Sequence, residues 1–189
     1  MKEHLEEILD ILKDAVENFY HNDRYLLENR IHEQGVSHKI ACYFEKELQE
    51  RPWFDSKKYS VDVEYNRNMY DLKRAYEKCC YCNNENCFVK SEWHPMGGNN
   101  SSRPDIILHV RGKNNETTKE YNNIIVIEIK KEQGNDIKDT AKLTAFTCSK
   151  GDYKYHIGVY LDLELDRYII TRFADGKITG DAYISFIKE

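Results

Sequence analysis

The chain has 189 residues, enough for one domain with a buried core. Hydrophobic residues make up 40% and aromatic residues 12%, which excludes a disordered chain. Purely apolar runs stop at about four residues, as in Ile124-Ile125-Val126-Ile127, too short for a membrane span. The net charge of −5 excludes a basic nucleic-acid coat, so a polyanion would have to be held locally, by a groove or a metal.

The N-terminus is rich in acids and has no small-residue cleavage site, so a secretory signal is not expected and a cytoplasmic location is. Leu5, Ile8, Leu9, Leu12, Val16 and Phe19 recur at helical spacing and predict a first helix that breaks in the polar stretch 21–24. A second helix is predicted over 31–48, with Val36, Ile40, Phe44 and Leu48 on one stripe and Arg51-Pro52 as its stop. Glu33 falls near the middle of that apolar arc. A carboxylate aimed at a core is costly unless a charge meets it; the alternative is a frayed first turn, with the helix dipole and water satisfying Glu33.

Residues 59–65 alternate as a short strand, and 66–103 form a polar, irregular insertion. Strands are predicted over 105–110 and 124–130, joined by a polar hairpin connection over 112–123. Both are apolar on both faces, as covered central strands are. A helix over 135–148 follows, with Ile137, Ala141, Ala145 and Cys148 as its inner stripe. Cys42 and Cys148 are both assigned to helix inner faces, as core residues. Strands over 155–161 and 166–173 complete the pattern, the second running into a turn at Ala174-Asp175-Gly176-Lys177 and a last short element. The β-α-β step from 124 to 161 predicts parallel strands joined by a right-handed crossover. The expected architecture is one α/β domain over 1–189, a mixed sheet covered by helices.

The charges that interrupt these apolar strands are the most informative feature. Glu128 and Lys130 are two apart and share one face, while Ile125, Ile127 and Ile129 fill the other. Asp105 opens the neighbouring strand, where a hairpin brings it beside Glu128. Adjacent carboxylates each favour protonation, and a divalent cation removes that penalty. Mg²⁺ takes one or two carboxylates plus waters and substrate oxygens. A cross-strand ion pair is the simpler alternative, but it leaves three charges in two apolar strands without a reason.

Pro104-Asp105, a hairpin, then Glu128-Ile129-Lys130 resembles the PD-(D/E)XK, or restriction-endonuclease-like, nuclease superfamily. Glu33, His38, the strand at 61–67 and Arg103-Pro104-Asp105-Ile106-Ile107 extend the resemblance to a bacterial and phage branch of small proteins, over roughly 29–161. The resemblance implies a restriction-endonuclease-like fold and metal-assisted hydrolysis of phosphodiesters, most readily in DNA. Asp105, Glu128 and Glu33 would hold Mg²⁺ or Mn²⁺, with the Ile129 carbonyl a further ligand, and Lys130 would stabilise the attacking water. His38 and Glu64 are auxiliary candidates, although His38 lies about 140° around the helix from Glu33. Gln133 and Lys142 are candidates to face a phosphate backbone. Nucleases of this fold often dimerise, which makes a homodimer an expectation.

The insertion carries a separate signal. Cys79 and Cys82 have C-x-x-C spacing, and Cys87 with His94 would complete a tetrahedral Zn²⁺ site, with reduced thiols as the simpler alternative. Two other functions remain beside the nuclease: a catalytically inactive binding or assembly protein on the same fold, and a zinc-centred interaction module.

Overall fold

The computed structural model describes residues 2–65, 67–68, 71–72, 103–111, 122–131, 137–149, 151 and 153–187. Cys79, Cys82, Cys87 and His94, with Gln133, lie outside the described residues, and so does the zinc expectation that rests on the first four.

After a 3-10 turn at Lys2–His4, helix α1 (Leu5–Asp23) forms where apolar residues recur every three to four positions. Ile8, Leu12, Val16 and Phe19 are all fully buried. A short turn of helix, α2 (Tyr25–Glu28), leads to α3 (Glu33–Gln49). There the side chain of His32 accepts the Gln34 N–H at 3.3 Å and closes the N-terminus. Val36, Ile40, Phe44 and Leu48 form the predicted inner stripe, and α3 packs on α1.

The strands are β1 (Ser60–Val63), β2 (Arg67–Asn68), β3 (Asp71–Leu72), β4 (Ile106–His109), β5 (Asn123–Lys131), β6 (Ile157–Leu163), β7 (Arg167–Ala174), β8 (Lys177–Ile178) and β9 (Tyr183–Phe186). Helix α4 (Ile137–Thr147) stands between β5 and β6. The main sheet runs β1-β4-β5-β6-β7-β8, with β9 also paired to β7; β2 and β3 form a separate ribbon. Only β5 and β6 pair in parallel among the described strands, across the α4 connection. The protein is therefore mixed α/β with a mostly antiparallel open sheet. At the β7–β8 turn Asp175 and Gly176 both have positive φ, 48° and 71°, the geometry of a type I′ hairpin.

Strand alternation sorts the sheet into two faces. Ile106, Leu108, Ile125, Ile127, Val159 and Leu161 meet α1 and α3 in the larger core. Ile107 and Val126 meet Leu143, Phe146, Tyr155 and Phe173 in a smaller core under α4.

Two expectations about inner faces are corrected. Helix α4 turns Asp139, Leu143, Phe146 and Thr147 inward with Cys148, and leaves Ala141 and Ala145 half-buried. The larger apolar groups decide the rotation: Phe146 meets the rings of Tyr153 and Tyr155 edge-on, with centroids 5.0 and 6.0 Å away. Cys42 is exposed, not core. It lies about 200° around α3 from both Ile40 and Phe44, opposite the stripe they form.

Candidate active site

Antiparallel pairing of β4 with β5 sets Ile106 opposite Ile127. Asp105, one residue earlier, therefore comes beside Glu128 at the end of the ladder. Its Oδ2 accepts the Ile129 N–H at 2.6 Å, so the carboxylate takes the place of the next strand residue. Glu128 and Lys130 project from the face that α4 covers, and α4 adds Asp139 and Lys142, three apart on one side of the helix. Glu33 enters from the first turn of α3.

These side chains form an alternating chain of charge. Lys130 Nζ lies 3.8 Å from Glu33 Oε1 and 3.9 Å from Asp139 Oδ2. Lys142 Nζ lies 2.6 Å from Asp139 Oδ1 and 3.2 Å from Glu128 Oε2. The chain runs inward: the Glu33 side chain is 34% exposed, and that of Glu128 2%. Glu128 Oε1 is buried with no hydrogen-bond partner among the described residues.

Burial shifts the titration of the inner acids. It raises the Asp105 carboxyl from 3.8 to about 6; the Ile129 N–H and Lys142 pull the other way, and Asp139 and Glu33 add to the rise. Burial also pushes Glu128 well above the carboxylate range, because one ammonium shared with Asp139 does not offset complete desolvation. For Lys142 burial opposes the charge, but Glu128 and Asp139 outweigh it and keep the ammonium protonated.

The fold thus brings Glu33, Asp105, Glu128 and Lys130 together. Glu33 sits in the first turn of α3, partly exposed, and Lys130 meets it. His38 and Glu64 take no part in the charge chain. His38 is exposed, and its Nε2 lies 3.7 Å from Cys42 Sγ. Glu64 accepts from Gln34 Nε2 at 3.0 Å, while its own N–H donates to the Asp105 carbonyl at 3.2 Å. Asp139 is the site residue that sequence reasoning missed. The available signal was its i,i+3 spacing to Lys142.

An oxygen-only donor set suits a hard divalent cation such as Mg²⁺ or Mn²⁺. Asp105 and Glu128 would hold it, with the unpartnered Glu128 Oε1 as one donor. Among the described residues no three His, Cys, Asp or Glu side chains form a ready cage for a metal. Two carboxylates completed by water and substrate oxygens match the usual Mg²⁺ arrangement. No protein-family model, curated protein or solved structure matches the chain.

Proposed function

We propose that the chain is a divalent-metal-dependent nuclease of the restriction-endonuclease-like kind, hydrolysing phosphodiester bonds in DNA. The observation that carries this reading is a charge deficit at a part-buried site. Among the described residues four carboxylates (Glu33, Asp105, Glu128 and Asp139) face two ammonium groups (Lys130 and Lys142), and burial pushes the titration of Asp105 and Glu128 upward, so the cluster holds an excess of acid that its own lysines do not offset. One divalent cation cancels that excess and gives the orphaned Glu128 oxygen a partner.

When bound, the cation would polarise the phosphodiester and lower the pKa of a bound water. The chain's own residues do the rest. The Ile129 N–H fixes the orientation of Asp105. Lys130 orients the attacking water and stabilises negative charge on the phosphate, while Glu33 and Asp139 hold its ammonium in place.

The test is cleavage of single-stranded, duplex and branched DNA and RNA with Mg²⁺ or Mn²⁺. Asp105→Ala, Glu128→Ala and Lys130→Ala should each lose at least about a hundredfold in rate while staying folded. EDTA should stop the reaction. Full activity in folded Glu128→Ala protein sinks the proposal.

A second reading is a non-catalytic binding or assembly module on this fold. The Lys142 bridge between Glu128 and Asp139 favours it, because two buried carboxylates already have a cation. A folded wild-type chain that binds neither Mg²⁺ nor Mn²⁺ in the presence of DNA selects this reading over the first.

A further inference from the structure

We infer that the Lys142 ammonium is the resident counter-ion of this site, and that a divalent cation binds by displacing it from Glu128 while Asp139 retains it. The inference rests on the metal-site reading above and adds what the metal must do to enter.

Among the described residues one polar group bonds the Glu128 carboxylate. Its Oε2 meets Lys142 Nζ at 3.2 Å, and its buried Oε1 has no hydrogen-bond partner among them. With 2% of the side chain exposed, water does little for its charge. Lys142 is therefore the cation that offsets part of the cost of charging Glu128 in the metal-free protein. A divalent cation on the same carboxylate lies close to the ammonium, and like charges at such range in a part-buried site repel strongly. The two cations exclude one another from Glu128.

The arrangement allows the exchange. Lys142 is bonded more closely to Asp139, at 2.6 Å, than to Glu128. Asp139 stands three residues back on the same helix, so this partner stays with the lysine wherever its head moves. The Lys142 side chain is 22% exposed, and its four-carbon stem gives the ammonium a path outward. After the exchange Glu128 pairs with the metal and Lys142 with Asp139, so each buried charge stays compensated. Lys130 is placed differently. Among the described residues its ion pairs are to Glu33 and Asp139, at 3.8 and 3.9 Å, so it serves as a control for charge near the site as opposed to charge on Glu128.

The experiment is calorimetric titration of the full-length chain with MnCl₂, without nucleic acid, for wild type, Lys142→Met and Lys130→Met. Lys142→Met should bind Mn²⁺ at least about tenfold more tightly than wild type, and Lys130→Met should fall well short of that gain. Should Lys142→Met fail to fold, the wild-type chain still decides the matter. Pulse acetylation read by peptide mass spectrometry should show Lys142 modification rising with Mn²⁺ and saturating with metal occupancy. Equal affinities in wild type and Lys142→Met, or Lys142 labelling that stays flat or falls as Mn²⁺ binds, overturn displacement and leave the metal site standing. A folded wild type and a folded Lys142→Met that both bind no Mn²⁺ overturn the metal-site reading and this inference with it.

Discussion

Asp105 links the chemistry of the site to the stability of the fold. Its folded carboxyl titrates at about 6 against 3.8 when unperturbed, because burial disfavours the charged form. The folded state therefore holds this proton more tightly than the unfolded chain. That contribution is complete below pH 4 and is lost as pH rises through about 6, roughly 3 kcal/mol in all. Asp62 runs the other way. Burial opposes its charge, but Arg111 and His109 hold its carboxyl well below the carboxylate range, so its contribution appears above the usual Asp range and fades in strong acid. Urea titrations in EDTA should show the wild type losing stability between pH 4.5 and pH 7.5, and Asp105→Asn should flatten that loss. A wild-type profile that Asp105→Asn leaves unchanged removes Asp105 as the cause. At this scale the sequence pattern was informative where charge broke an apolar strand: Asp105, Glu128 and Lys130 stood out because each adjoins a run of Ile and other apolar residues. Asp139 did not, and Lys142 did so only as a candidate to face phosphate, because a polar residue early in a helix looks solvated until the helix is docked. Their burial follows from the rotation of α4, which no local spacing records.

That rotation is an element-scale property, and Gly158 is where it is felt most sharply. A Cβ at this position of β6 would come within 2.8 Å of Thr147 Cγ2, 3.1 Å of Phe173 Cβ and 3.3 Å of Leu143 Cδ2. The missing side chain is what lets α4 lie against the sheet and carry Asp139 and Lys142 to Glu128. Gly158→Ala should destabilise by about 1–3 kcal/mol through overpacking. It should also raise metal affinity, since an outward shift of α4 draws Lys142 away from Glu128. Thermal unfolding and Mn²⁺ titration of the variant check both, and a variant of wild-type stability shows that the helix does not set this distance. Several other elements were legible because each obeys one dominant period. Helices α1 and α3 follow their apolar stripes, and β4 and β5 read as covered strands because both of their faces are buried. Helix α4 was harder. Its small residues Ala141 and Ala145 mimic a stripe, yet Leu143 and Phe146 bury more surface and win the inner face. Strands β8 and β9 are short and largely exposed, so hydrophobic alternation gives them little signal.

For the whole molecule, the constraint is a net charge of −5 on a protein proposed to meet a polyanion. Long-range attraction is absent, and the cations that flank the site residues in sequence are few: Arg30 before Glu33, Arg103 before Asp105, Lys131 after Lys130 and Lys138 before Asp139. Lys131 is itself engaged, donating to the Ile31 carbonyl. The four carboxylates at the site would repel phosphate unless a divalent cation cancels their excess charge. Metal dependence should therefore extend from cleavage to binding. Fluorescence anisotropy with labelled duplex DNA and the Lys130→Ala protein isolates binding from hydrolysis. Mn²⁺ should tighten binding by at least about tenfold over EDTA, and the dependence on monovalent salt should be shallow because few phosphates are neutralised by side chains. The mixed architecture makes the test selective, since Asp105 just before β4, Glu128 on β5 and Asp139 on α4 meet only in the folded chain. Equal affinity in EDTA and Mn²⁺ would place the nucleic-acid contact elsewhere on the molecule and separate binding from this cluster.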